Sequence, residues 1–341
     1  MREPAFWYRP PSSISRLLTP LGAIYGAITA QRMARTGTRA DIPVFCIGNY
    51  HVGGAGKTPA TLALAKLLRE LGEQPFVVSR GYGGALSGPV RVDPAGHTAA
   101  DVGDEPLMMA AQVPVIVSRE RVEGAALARA QGATIALLDD GFQNPALIKD
   151  ASLIVIDAAR GIGNGCVFPA GPLRAPLPPQ IARTDALIVI GTGESADGIA
   201  TSARTSGASV LRARLVPDQA SLDQLRGQRV LAFAGIGDPA RFFATLRSSG
   251  VDVIEERIFA DHHPFTPDEI GRLASAGAAK SLMLVTTEKD MARIRSDVRL
   301  QKYADKTSAF AVTLAFDDEA KLKDFVAARL TKARARPIRP S

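Results

Sequence analysis

GNYHVGGAGKTPA, residues 48–60, decides how the rest of this sequence is read. It follows an apolar run, IPVFCIG (42–48), and precedes ATLALAKLLREL (60–71), whose apolar residues recur at helical spacing. A strand, a glycine-rich turn and a helix in that order aim backbone N–H groups at an anion at the helix N-terminus. Gly53, Gly54, Ala55, Gly56, Lys57 and Thr58 are the candidate phosphate cradle, with Lys57 reaching the outer phosphates of ATP and Thr58 ligating Mg²⁺. Pro59 is tolerated in the first turn of the helix. The strict spacing G-x-x-x-x-G-K-[ST] asks for glycine at 51, where this chain has His51.

Outward from this turn, short apolar runs alternate with helix-like segments: PFVVS (75–79), VPVIVS (113–118), ATIALLD (133–139), ASLIVID (151–157) and ALIVIG (186–191). Runs apolar on both faces read as strands of a mainly parallel sheet covered by helices. The expected fold is α/β, with a P-loop NTPase-type core over 41–220. A second, smaller α/β domain over 221–330 is expected from RVLAFAG (229–235), VDVIEERIF (251–259), SLMLVTT (281–287) and SAFAVTLAF (308–316). Its helix starts are marked by Asp238-Pro239 and by the capping box Thr266-Pro267-Asp268-Glu269. Gly161 to Pro179, rich in Gly and Pro, reads as a functional loop.

The remaining ends are basic. Residues 1–40 carry Arg2, Arg9, Arg16, Arg32, Arg35 and Arg39 against Glu3, and LLTPLGAIYGAITA (17–30) is apolar but shorter than the roughly 20 residues of a spanning helix. A helix lying on an anionic membrane and a helix packed on the domain are both consistent with it. Residues 331–341 read as a basic tail. A net charge of +7 favours an anionic partner. Because basic residues concentrate at the two ends and aromatics make up 6%, that partner is not expected to be nucleic acid. Two cysteines, Cys46 and Cys166, give neither a disulfide framework nor a C-x-x-C zinc pair, and a reducing cytoplasm fits.

A P-loop needs a carboxylate at the end of a neighbouring strand for Mg²⁺. Asp139-Asp140 is preferred to Asp157, because paired acids followed by Gly141 put two carboxylates and a flexible turn beside the phosphates. Asp104, ahead of EPLMMAAQ, reads on composition alone as a helix N-cap, and Arg121 and Arg174 are either phosphate-neutralising or ordinary surface arginines. Gln143 could position metal-bound water or substrate, and Ser79, Arg80 and Tyr82 read as loop residues on the substrate side.

The P-loop string, taken with SRGYGG (79–84), VGDEPLMMA (102–110), LLDDGFQN (137–144), PAGPLR (169–174), FAGIGDPARFF (233–243), FADHHPF (259–265) and VTTEKD (285–290), resembles the tetraacyldisaccharide 4'-kinase family in order and spacing. The resemblance implies ATP- and Mg²⁺-dependent transfer to the 4'-hydroxyl of an acylated glucosamine disaccharide at the cytoplasmic face of the bacterial inner membrane. It implies that Asp104 is the catalytic base and that His262 pairs with it, His263 being an equal rival on sequence alone. No obligate protein partner is implied. The family usually has His after GFQ and Glu after PLR, where this chain has Asn144 and Ala175.

Rival readings are weaker. A GTPase would need N-K-x-D, and Thr287-Glu288-Lys289-Asp290 lacks the asparagine. Gly235-Ile236-Gly237 lacks the third glycine of a dinucleotide fingerprint, Ala240 standing there. A nucleotide-gated membrane module without transfer chemistry leaves Asp104 and DHHPF without a purpose.

Overall fold

The computed structural model describes residues 3–54 and 56–336; Ala55 of the cradle and residues 337–341 of the basic tail lie outside them. The apolar runs are strands: β1 Val44–Gly48, β2 Pro75–Ser79, β3 Val90–Arg91, β4 Val115–Val117, β5 Ile135–Asp139, β6 Ala151–Asp157, β7 Ala186–Ile190 and β8 Ser209–Pro217. The second series gives β9 Arg229–Ala234, β10 Asp252–Ile258, β11 Met283–Thr287, β12 Thr307–Phe310 and β13 Val312–Phe316.

Nine of these form one sheet in the order β13-β8-β7-β6-β1-β5-β2-β4-β3, parallel except where β13 and β3 close its two edges antiparallel. Successive residues of β1 face opposite layers: Phe45 and Ile47 enter one core with Leu64 and Leu68, and Val44 and Cys46 enter the other with Leu138 and Ile154. This two-sided burial is why its central strands are continuous apolar runs. The remaining four strands form a parallel sheet, β10-β9-β11-β12, that carries the smaller lobe.

The structure corrects the expected lobe boundary. SAFAVTLAF is not one strand: after Phe310 the chain leaves the small sheet, and β13 pairs with β8 in the large one. The helix Glu319–Arg334 then buries Leu322, Val326 and Leu330 in the large lobe's core. The small lobe is therefore a loop of chain inserted between β8 and β13. Nor is the described part of the tail a free basic end, since Arg334 pairs with Glu73 at 2.6 Å and Arg336 with Asp150 at 3.2 Å. β8, absent from the sequence reading, carries exposed Arg212 and Arg214 alternating with buried Leu211 and Ala213 and partly buried Leu215, the pattern of a strand close to a sheet edge.

The N-terminal helix runs Ser13–Met33. Its Gly22 and Gly26 face the 167–176 loop so closely that a Cβ on Gly22 would lie 2.8 Å from the Val167 carbonyl. Ile14, Leu17, Leu21, Ile24 and Ile28 are exposed instead. No helix of the described residues is long and apolar enough to cross a membrane.

Candidate active site

The site lies where the parallel strands end, the usual ligand position in an open α/β sheet. Gly56 caps the helix Lys57–Glu70 at φ 87°, a left-handed conformation that glycine adopts without steric cost. Lys57 and Thr58 thereby form the helix's first turn. β5 lies beside β1 with Asp139 opposite Ile47, so the paired acids arrive next to the P-loop. Asp140 follows in the left-handed region, at φ 53°, which aspartate tolerates better than bulkier residues.

The two acids have different surroundings. Asp140 receives both arms of the Arg174 guanidinium, at 2.6 and 3.0 Å, and Lys57 Nζ lies 4.0 Å away. Burial pushes its carboxyl up, but Lys57 and Arg174 outweigh that and hold it below the usual range. Asp139 accepts from Ser79 Oγ at 3.2 Å, while its buried Oδ1 has no partner among the described residues. Burial, with the nearby charges of Glu105 and Asp140, pushes the Asp139 carboxyl up to about 7. A desolvated carboxylate among other acids, with one oxygen unsatisfied, is a site that a cation would relieve.

The second half of the site is assembled across the lobes. Gly103, at φ 91°, packs against the Tyr82 backbone, where a Cβ would lie 2.5 Å from the carbonyl oxygen. Gly103 itself is the N-cap, and Asp104 is the first residue of the helix Asp104–Ala110, which frees its side chain from capping. Asp104 Oδ2 lies 2.6 Å from His262 Nδ1 and accepts from Arg293 Nη2 at 2.6 Å. Burial pushes the Asp104 carboxyl up; the hydrogen bonds from His262 and Arg293 overcome it and leave the group well below the ordinary carboxylate range. Beside it, Glu105 pairs with Lys289 at 2.6 Å. Burial raises the Glu105 carboxyl, and the charges of Lys289 and Lys57 more than offset this, which ties the interlobe cluster to the P-loop.

Of the two rival histidines, His263 is occupied elsewhere: it sits 3.1 Å from both oxygens of Glu269 and packs against the rings of Phe259 and Phe265. His262 faces Asp104, with the exposed ring of Tyr82 edge-on at 6.3 Å. Asp157, the rival metal acid, caps the amides of Ala159 and Arg160 and pairs with Arg241 of the small lobe at 2.7 Å.

Three expected substrate residues are placed differently. Arg121 is buried, spending its guanidinium on the carbonyls of Ser118 at 2.7 Å and Asp139 at 3.4 Å, so it braces the end of β5 from within. Gln143 donates to the Asn49 carbonyl at 2.7 Å and to Gln180 at 2.9 Å, bracing the entry to the P-loop. Arg174 grips Asp140 rather than standing free. Ser79 is buried against Asp139, while Arg80 and Tyr82 are exposed. Asn144 accepts from the Ala146 amide and Ala175 is fully buried, so neither supplies a ligand. Sequence reasoning missed Glu105, Lys289 and Arg293. The first two stood inside quoted motifs, but a charge pair between lobes leaves no spacing to read.

A family model described as LpxK, tetraacyldisaccharide-1-P 4'-kinase, matches residues 14–331. The chain belongs to this family. A tetraacyldisaccharide 4'-kinase of Rhodopseudomonas palustris (strain ATCC BAA-98 / CGA009) is 66% identical over 335 residues, 98% of each chain. That of Nitrobacter winogradskyi is 64% identical over 334 residues, 98% of this chain and 99% of the relative. Among solved structures, LpxK from Aquifex aeolicus in complex with ATP superposes with a TM-score of 0.71 at 26% identity, covering 93% of this chain and 99% of that one. That likeness runs over nearly the whole of both chains and so includes both lobes.

Proposed function

We propose that this protein transfers the γ-phosphate of ATP to the 4'-hydroxyl of a tetraacylated glucosamine disaccharide 1-phosphate, the lipid A precursor its relatives are named for. The observation that carries the reading is the hydrogen bond between Asp104 on the large lobe and His262 on the small one. In this mechanism the backbone of the cradle and Lys57 hold the phosphates. The acceptor O–H gives its proton to Asp104 as its oxygen forms a bond to the γ-phosphorus. The bond from that phosphorus to the β–γ bridging oxygen breaks, and ADP leaves with the electron pair. His262 orients Asp104, and because it arrives from the other lobe, the base is complete only when the lobes close, which restrains transfer to water.

The donor set fits Mg²⁺, a hard cation that takes oxygen ligands and keeps several waters. Asp139, Asp140 and the Thr58 hydroxyl would hold it. Among the described residues no cluster of three or more His, Cys, Asp or Glu side chains could form a cage, so phosphate and water oxygens would complete the shell. When bound it would neutralise charge on the transferring phosphoryl group.

The N-terminal helix supplies the membrane contact. Its glycine face is occupied by the 167–176 loop and its opposite side exposes an apolar row, with Arg9, Arg16 and Arg32 also exposed. We place it on the inner-membrane surface at its cytoplasmic face, where an acylated acceptor is met in the plane of the lipid. Replacing Leu17 and Leu21 together by aspartate is expected to weaken binding to anionic vesicles at least about tenfold in sedimentation, since each leucine forgoes roughly 1.5–3 kcal/mol of apolar burial. Unchanged sedimentation would remove the helix from the membrane contact.

The reading as a whole is tested by supplying γ-labelled ATP, Mg²⁺ and the tetraacylated disaccharide 1-phosphate in detergent. Label is expected in the lipid. Nucleotide turnover without labelled lipid would reject the acceptor.

A further inference from the structure

We infer that Arg293 is the positioning residue of the Asp104–His262 pair: a buried cation seated on Asp290 that fixes one oxygen of Asp104 and leaves the other for the acceptor hydroxyl. The inference rests on the kinase reading above and assigns a residue of the small lobe to the reaction.

The seat is built before Asp104 is reached. Arg293 lies in the helix Glu288–Ser296, one turn after Asp290, and its Nη1 donates to Asp290 Oδ1 at 2.5 Å and to the Gly235 carbonyl at 3.0 Å. Asp290 is itself fully buried and accepts from the Gly235 amide at 2.9 Å and from Thr287 Oγ1 at 2.9 Å. The guanidinium thereby spends Nη1 on two acceptors of its own lobe, its buried Nε having no partner among the described residues. Its Nη2 crosses the lobe interface to Asp104 Oδ2 at 2.6 Å.

His262 addresses the same oxygen, Oδ2. Both donors from the small lobe thus converge on one side of the carboxylate, and Oδ1 accepts no hydrogen bond from the described residues. That is the geometry needed if a substrate hydroxyl is to approach Oδ1. A latch that only joined the lobes would be expected to engage both oxygens, as Arg174 does with Asp140.

The charges agree. Among the described residues around Asp104, Arg293 pairs with Asp290 and Lys289 with Glu105, Asp261 lies 3.8 Å from His262 Nε2, and Tyr82 presents a ring edge to His262. Seated on Asp290, Arg293 favours the ionised form of Asp104, the form a proton acceptor requires. The lysine of an Arg293→Lys variant keeps the charge but cannot satisfy Asp290, the Gly235 carbonyl and Asp104 with one fork.

The sign of the pH effect follows. Arg293 lowers the proton affinity of Asp104 against a burial that raises it. Without the cation the carboxyl titrates at higher pH, the protonated and inactive fraction grows, and activity is lost first on the acid side. The experiment is the pH profile of lipid phosphorylation for wild type, R293M and R293K, with ATP binding and thermal midpoints measured on the same preparations.

For R293M we expect a fall in kcat of about a hundredfold, the scale of a misplaced reacting group, with KM for ATP nearly unchanged. Its acid limb should move up, the direction expected when Asp104 loses a charge partner. R293K should recover part of the rate and show a smaller displacement. Should R293M fail to fold, R293Q, which keeps a donor without the charge, must show the same upward displacement. An acid limb that stays in place, with R293K no better than R293M or R293Q, overturns the inference and leaves Arg293 a structural brace. A wild type that labels no lipid overturns the kinase reading itself, and this inference with it.

Discussion

Lys57→Ala is expected to lower kcat for phosphate transfer at least about a thousandfold, the upper end of what removing one charge-stabilising donor costs, while the protein remains folded. Lys57 opens the helix behind the cradle, and its only ion pair among the described residues is a loose one to Asp140 at 4.0 Å. Arg174 still grips Asp140 when the lysine is gone, through two hydrogen bonds, so no buried charge is orphaned and the thermal midpoint should fall little. The substitution does remove the largest influence holding the Asp140 carboxyl down, so that carboxyl moves up toward its ordinary value. The loss should therefore be steeper at the acid end of the pH range. Single-turnover transfer to the lipid acceptor, with circular dichroism on the same sample, gives both readouts. A variant keeping a tenth of the wild-type rate would show that Lys57 does not stabilise the transferring charge.

The parts of this architecture that the sequence made legible are the ones whose signals are local. Two-sided apolar runs marked β1, β2 and β5 to β7 because each strand's burial depends on its own residues. The N-caps at Asp238 and Thr266 were readable because a cap binds an amide three residues away, and both are present. SAFAVTLAF was misread for the converse reason. Its alternation states that the segment is extended but not which sheet receives it, and the segment serves two.

The site divides along the same line. The cradle and the paired acids lie within single segments, whereas Arg121, Gln143 and Arg174 owe their roles to partners brought from other strands and loops. Arg121 is the clearest case: nothing in RVEGAALARA distinguishes a phosphate-facing arginine from one folded inward onto Asp139. The choice between His262 and His263 was equally open until Glu269, within the capping box of the following helix, was seen to take His263.

Asp104→Ala and His262→Ala are each expected to lower kcat by about a hundredfold to ten-thousandfold, the range for a general base, and the double variant should be no slower than the slower single. This follows from the one hydrogen bond through which the two act: once Asp104 is gone His262 has nothing to orient, and the costs cannot add. The two singles should differ in stability. Removing Asp104 leaves Arg293 buried with its Nη2 unanswered, at a cost of roughly 1–3 kcal/mol for an orphaned group, whereas half-exposed His262 leaves no buried charge behind. ATP affinity should be close to wild type in all three, because neither residue belongs to the cradle at the start of the helix Lys57–Glu70. Full rate cycles with titrated ATP binding separate the cases. Losses that multiply in the double variant would mean that Asp104 and His262 act on different steps, and the pair would then be a latch between lobes rather than the base.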